Sequence, residues 1–262
     1  MDKCKICNTK TDKIFQTRIL DKYDINYFKC PNCKFVQTEK VFWLEEAYKN
    51  PMNYTDTGVM LRNIRFSKIV TSIILLFFKK NYVFLDYAGG YGVFTRLMRD
   101  IGFDFYWNDP YTKNVLSRGF EQKKNVKYDV VTTFESFEHF DEPLKEIEGI
   151  LDISKNIIFS TELIPDKTPD PNIWWYYGKE HGQHIALYSN DTLQYIANKY
   201  NLNFYSLGNI HFFSERKLNI LSSLFLKIKY SKHILYLLSY PLQLSLTTKT
   251  MTDMEDLKRI SK

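Results

Sequence analysis

Apolar positions along this chain fall into runs of two distinct periods. Lys13-Ile14-Phe15 and Tyr27-Phe28-Lys29 read as short strands near the N-terminus. Val41-Phe42-Trp43-Leu44 with Ala47-Tyr48 predicts a short helix, and Pro51-Met52-Asn53-Tyr54 a break, with Tyr54 a candidate contact to cofactor or substrate. From Val59 to Phe78 the spacing becomes helical through Leu61, Ile64, Ile69, Ile73 and Leu76, and Lys79-Lys80 suits the negative end of the helix dipole. This helix is expected to pack on a sheet. Val83-Phe84-Leu85 is a strand, followed by a glycine-rich turn and a helix. That helix carries Val93, Leu97, Met98 and Ile101 on one face and Arg96, Arg99 and Asp100 on the other. Further strands are expected at Phe103–Trp107, 128–134 and Asn156–Thr161. A helix starts near Pro143, and a second runs from Ser189 to Tyr200 with Ser189 or Asp191 as its cap. Asn203–Phe213 reads as a hairpin turning at Gly208-Asn209. Strands alternating with helices predict an α/β fold with a largely parallel sheet. Residues 112–127 barely hold a helix plus a strand, so the third strand of that sheet is expected to be reduced or missing.

The turn after Val83–Leu85 carries the first chemical signal. It reads Asp86-Tyr87-Ala88-Gly89-Gly90-Tyr91-Gly92. Strand, glycine turn and helix present backbone N–H groups to a nucleotide-like ligand, and glycines let the backbone approach it closely. Asp109 stands just past the end of the next strand. An acid there accepts hydrogen bonds from ribose hydroxyls, while the competing role is a helix N-cap. Ala88 is tolerable if its φ stays negative.

The four cysteines are Cys4, Cys7, Cys30 and Cys33, two C-x-x-C pairs on either side of the segment 8–29. Two such knuckles supply four thiolates, the set for a closed, structural zinc site. The segment is too small to fold on apolar burial alone, so the metal is expected to hold it.

Composition adds little: 44% hydrophobic residues and 25% charged suit a globular protein. The polar N-terminus does not read as a signal peptide and no apolar run spans a bilayer, so a cytoplasmic location is expected. The net charge of +6 suits an anionic partner. From Glu215 onward nine Lys/Arg stand against four Asp/Glu. Ile220, Leu221, Leu224, Leu226, Ile234, Leu235, Leu237 and Leu238 are interleaved there with Lys227, Lys229 and Lys232. Helices covering the domain are the expectation, with peripheral membrane contact the competing one.

The Asp86–Gly92 turn resembles the first motif of class I S-adenosylmethionine (SAM) methyltransferases, an apolar strand followed by D-x-G-x-G-x-G. Asp86, Gly90 and Gly92 match, and Ala88 stands at the first glycine with Gly89 beside it. Tyr128–Phe134 with Glu135, followed by Glu138-His139, resembles the family's fourth-strand motif. The resemblance implies a Rossmann-like, seven-stranded-type core that binds SAM through Asp86, Ala88, Gly89, Gly90, Gly92 and Asp109. Phe134 and Glu135 would lie beside the adenine and the methionine portion. Glu138-His139 is expected to brace its loop. The cysteine ribbon and His184-Ile185-Ala186-Leu187-Tyr188-Ser189 extend the resemblance to zinc-ribbon methyltransferases of sugar-nucleotide and polysaccharide pathways, over about residues 1–214. In that group a histidine in this context is the general base, which implies His184, with His181 the alternative. The implied acceptor is a sugar nucleotide or phosphorylated sugar. Those enzymes carry a large further domain where this sequence has a short helical tail, so O-methylation stands beside C-methylation. The expected segments are a ribbon (1–40), a linker and helix (41–80), the SAM core (81–214) and a basic helical extension (215–262). Two rival readings are an RNA methyltransferase that recognises RNA through its ribbon, and a non-catalytic SAM-fold interaction protein.

Overall fold

The computed structural model describes residues 3–49, 56–219, 222–223, 226, 228 and 231–260. Tyr54 and the break at 51–54 lie outside the described residues, as do Ile220, Leu221, Leu224, Lys227 and Lys229 of the tail. The chain divides into two compact units. One comprises Met1–Tyr54, Phe134–Asp152 and Phe159–Arg216; the other comprises Thr55–Thr133, Ile153–Ile158 and Lys217–Lys262.

In the first unit β1 (Asp12–Ile19) pairs antiparallel with β2 (Tyr23–Lys29), and β2 with β3 (Val36–Thr38). The short helix α1 (Leu44–Ala47) follows where it was expected. The second unit begins with α2 (Val59–Phe77), β4 (Val83–Tyr87), α3 (Val93–Ile101), β5 (Asp104–Asn108) and β6 (Val130–Thr133). Beyond β6 come α4 (Pro143–Ile153), β7 (Ile157–Ser160), β8 (Ala186–Leu187), α5 (Asn190–Lys199), β9 (Asn203–Leu207) and β10 (Ile210–Ser214). Two tail helices follow, α6 (Ser231–Gln243) and α7 (Thr250–Ile260).

The principal sheet has the order β5-β4-β6-β7-β10-β9. β4 is parallel to both β5 and β6, and β9–β10 is the expected antiparallel hairpin. Strand order reverses between β4 and β6, the place where open α/β sheets bind ligands at the carboxyl ends of their strands. The middle of β4 and all of β6 are buried, as strands of a parallel sheet covered on both faces are, and the buried positions include Asp86, Thr132 and Thr133 beside the apolar ones. The six strands leave out the third strand of a seven-stranded core. Between β5 and β6 the described chain makes only the parallel bridge Trp107–Glu121.

Two expectations need correction in the second unit. Leu61 and Ile64 of α2 are exposed, while Phe66, Val70, Ile73 and Ile74 are buried. The helix packs on α3 and α6, so the neighbouring helices set its inward face. On α3 the buried face is Phe94, Thr95, Met98 and Arg99, so Arg99 is inside. Arg99 is there because Asp253 of α7 pairs with it. The tail is therefore built into its unit. Lys249 N donates to the Arg99 carbonyl, and Ser239 Oγ of α6 donates to Ser72 Oγ of α2 at 2.9 Å. No described helix is long and apolar enough to cross a membrane.

In the first unit the segment 163–188 carries a strand of its own. Ala186-Leu187 form β8 and extend the ribbon to the order β1-β2-β3-β8. β8 exists because β3, near the start of the chain, offers it an open edge. The two segments also share a core: Ile19, Ile25, Tyr27, Val36 and Trp43 pack with Ile164, Tyr176, Tyr177, Ile185 and Leu187. The ribbon thus has apolar support besides any metal. Ser189 caps α5 through a reciprocal pair with Thr192, whose hydroxyl also donates to the Cys33 carbonyl at 2.8 Å.

Candidate functional site

Three groups of residues carry chemistry. The first is the turn after β4. Asp86, buried at its root, accepts from Thr95 Oγ1 (2.9 Å) and Thr132 Oγ1 (3.0 Å). Burial pushes its carboxyl up to about 7, although both hydroxyls pull it down, and the Asp109 charge raises it further. Asp86 thus ties β4, β6 and α3 together beneath the turn. Above it, the two peptide groups flanking the Gly90 Cα are each held. Its N–H donates to Asp109 Oδ2 (2.9 Å), and its carbonyl accepts from Trp107 Nε1 (2.9 Å).

The glycines have different reasons to be glycine. Gly90 sits at φ +54° with open space where a Cβ would point. Gly89 is needed for room: a Cβ would lie 2.8 Å from both Asp86 Oδ2 and Trp107 Cδ1. Ala88 departs from the expectation of negative φ and sits at +55°. It occupies the left-handed position the first glycine of the motif would fill, at a cost of about 1–2 kcal/mol. Ala88→Gly is therefore expected to raise the unfolding free energy by roughly 0.5–1 kcal/mol in denaturant titration, after the extra chain entropy of glycine is offset. An unchanged midpoint would show that the turn carries no strain there.

Of the two roles the sequence left open for Asp109, the cap falls away, because the described residues 110–116 form no helix and the carboxylate instead closes a local turn. Its Oδ1 accepts from the backbone N–H groups of Tyr111 and Thr112 (both 2.8 Å), while Oδ2 takes Gly90 N–H. Three of about four acceptor positions of the carboxylate are used, so one remains open. Trp107, two residues before Asp109, was not singled out from sequence, although an indole at a strand end beside a glycine turn was a readable signal. Phe134 and Glu135 directly follow β6. Glu135 has φ +51°, its N–H donates to Ser160 Oγ (2.8 Å), and Ser160 Oγ donates to Glu135 Oε1 (2.7 Å). A non-glycine residue held at positive φ by a specific pair is typical of a site residue.

The second group is the cysteines. Cys4–Cys33 and Cys7–Cys30 sulfurs are 3.5 and 3.3 Å apart, and all four lie within 4.8 Å of one another. A tetrahedral ion with metal–sulfur bonds of about 2.3 Å needs sulfurs about 3.8 Å apart, so the cluster fits. The residue after each pair, Asn8 or Lys34, has φ near +60°, and each returns its N–H to the carbonyl of the pair's first cysteine. The thiols share protons: the Cys33 hydrogen bond pulls Cys4 down to about 5, and Cys4 pushes Cys33 up.

The third group gathers histidines. The His184 ring lies 4.7 Å from His181 and 5.1 Å from His139, centroid to centroid. His184 Nδ1 is 2.6 Å from the Tyr176 carbonyl, which only accepts, so Nδ1 carries the proton and Nε2 a lone pair. His181 has the opposite tautomer, because its Nδ1 accepts Gln183 N–H at 3.1 Å. Gly178, at φ +56°, makes room for the His181 ring. Burial lowers His184 to about 4, helped by His181, and lowers His139 well below its ordinary value. Glu138-His139 does brace the loop, since Ile185 N–H donates to the Glu138 carbonyl and Tyr188 Oη to that of Phe137. It also brings His139 against His184, with Tyr48 Oη 2.6 Å from His139 Nδ1. Neither contact was anticipated from the sequence. Pro171, Asn172, Ile173, Trp174, Trp175, Lys179 and Glu180 line a pocket of about 210 Å³.

The family model matching residues 61–207 is described as a methyltransferase domain. No curated protein matches the chain. Among solved structures, it is similar to magnesium protoporphyrin IX methyltransferase from Synechocystis PCC 6803 with bound SAH. The identity is 14% and the TM-score 0.43, with 65% of this chain and 90% of that one covered. It is similar to the plantazolicin methyltransferase BpumL in complex with SAH (15%, TM-score 0.44, 62% and 77% covered). It is also similar to the mitomycin 7-O-methyltransferase MmcR (12%, TM-score 0.42, 66% and 60% covered).

Proposed function

Because that family match spans more than half of its length, the chain belongs to the methyltransferase-domain family, and from this premise we propose that it moves the methyl group of SAM to a small-molecule acceptor, a sugar nucleotide or phosphorylated sugar. The observation that carries the donor is the Gly90 backbone, fixed by Asp109 on its N–H and Trp107 on its carbonyl, with open space where a Cβ would point. Asp86, Ala88, Gly89, Gly90 and Gly92 form the turn in this reading. Asp109 takes a ribose hydroxyl, and Phe134 and Glu135 serve the adenine and methionine sides.

Transfer is an in-line displacement, so the protein chiefly positions donor and acceptor. The acceptor oxygen forms a bond to the methyl carbon as the carbon–sulfur bond breaks. Its electron pair stays on sulfur, leaving SAH. The hydroxyl proton goes to a base, and the His184 tautomer supports Nε2 in that role over His181, whose available lone pair is already engaged. His184→Ala is expected to lose turnover with SAM affinity unchanged, read by mass spectrometry of sugar nucleotides and calorimetry. Equal turnover would move the base elsewhere, first to His181. Exposed Trp175 and the adjoining pocket suit a sugar face, and the net charge of +6 suits its phosphates.

Zinc is proposed at Cys4, Cys7, Cys30 and Cys33. Four protein ligands leave no open position, so it is structural. Elemental analysis of protein purified without chelator is expected to find zinc, and removal is expected to lower the thermal midpoint. Protein free of metal with the same midpoint would contradict this assignment.

A further inference from the structure

We propose that Glu138, His139 and His184 form a second metal site, one that takes a divalent first-row transition ion. Each offers one ligand atom, and these lie within 4.8 Å of one another. Bonds of about 2.0–2.1 Å to nitrogen or oxygen bring tetrahedral ligand atoms to about 3.4 Å, so small side-chain rotations close the set. Two imidazoles and a carboxylate favour zinc, iron(II) or cobalt(II) over magnesium or calcium, which prefer oxygen alone.

The surroundings resemble those of a ligand set. Metal-bound histidines commonly donate their second nitrogen to a carbonyl or another acceptor, which fixes ring and tautomer. His184 Nδ1 does so to the Tyr176 carbonyl, which leaves Nε2 for the ion. His139 Nδ1 has Tyr48 Oη as its partner. Glu138 is fully buried, while His139 and His184 are half-buried, which gives the ion a way in. A backbone hydrogen bond from Ile185 to Glu138 holds the two contributing segments together.

Three protein ligands leave positions open. What an ion does there rests on the proposed methyl transfer: an acceptor hydroxyl bound at an open position is acidified and releases its proton to solvent. With the ion bound, His184 Nε2 is a ligand; with the site empty, the same Nε2 is the base of the proposed transfer.

The test is titration of the full-length protein with cobalt(II), followed by absorption. One equivalent is expected with ligand-field bands and no sulfur-to-cobalt charge transfer, which separates it from the cysteine cluster. His139→Ala and His184→Gln are each expected to lose those bands while keeping the wild-type circular dichroism. Tyr48→Phe should weaken binding by about 10–100-fold, as loss of an outer partner does. Wild type without such bands at saturating cobalt, or either histidine variant retaining them, overturns the proposal. Calorimetry with SAM on the same samples reads the methyl-transfer proposal separately, because SAM can bind whether or not cobalt does.

Discussion

Gly90→Val is expected to abolish SAM binding while leaving the protein folded. A β-branched residue at φ +54° is a genuine outlier, costing about 1–2 kcal/mol or more. The backbone at Gly90 cannot rotate away freely, because Asp109 holds the N–H on one side of its Cα and Trp107 the carbonyl on the other. Either the turn keeps its shape and the isopropyl group fills the space above it, or the turn flips and both hydrogen bonds break. Each route removes the surface offered to the ligand. We expect at least a 100-fold loss of affinity, about 2.7 kcal/mol, seen as vanishing heat in a SAM titration with unchanged circular dichroism. Wild-type affinity in this variant would place the donor elsewhere.

Asp253→Ala is expected to cause the largest loss of stability. Asp253 receives Arg99 Nε at 2.8 Å and Nη2 at 2.7 Å, and both side chains are 4% exposed. The guanidinium also reaches Asp104 and the Phe105 carbonyl, and lies 3.7 Å from the centre of the Phe120 ring. Burial alone would raise the Asp253 carboxyl, but Arg99, joined by Arg96, holds it below its ordinary value. Removing Asp253 leaves the buried guanidinium with the part-exposed Asp104 as its counter-charge, and breaking a buried pair in this way costs about 3–5 kcal/mol. For a chain of this size that is roughly 6–20 °C in melting temperature. An apolar pair, Arg99→Met with Asp253→Leu, should recover much of the loss. A single variant that melts within about 2 °C of wild type would show that the tail is not part of its unit's core.

These two sites differ in how far the sequence announces them. The Val83–Gly92 turn, the Ser189 cap and the 203–214 hairpin are local: period, glycine and capping residue stand within a few positions of one another. Arg99 reads as a solvated charge because its partner lies far along the chain, in the last helix, and Leu61 reads as core because periodicity gives a stripe without saying what covers it. Ala186-Leu187 become a strand only where β3 supplies an edge. The cysteine pairs were legible from spacing alone. The Glu138–His139–His184 group was not, since three short segments must fold together before Tyr48, His139 and His184 meet. Ala88 was misjudged because a residue type does not reveal its φ. The motif asked for glycine, and the backbone kept the glycine conformation.

The most direct test uses SAM labelled in its methyl group, incubated with the wild-type protein and a panel of sugar nucleotides and phosphorylated sugars, with products read by mass spectrometry. The account predicts the label on a sugar, and its loss with His184→Ala. Labelled SAM that binds but leaves every sugar in the panel unlabelled would contradict it.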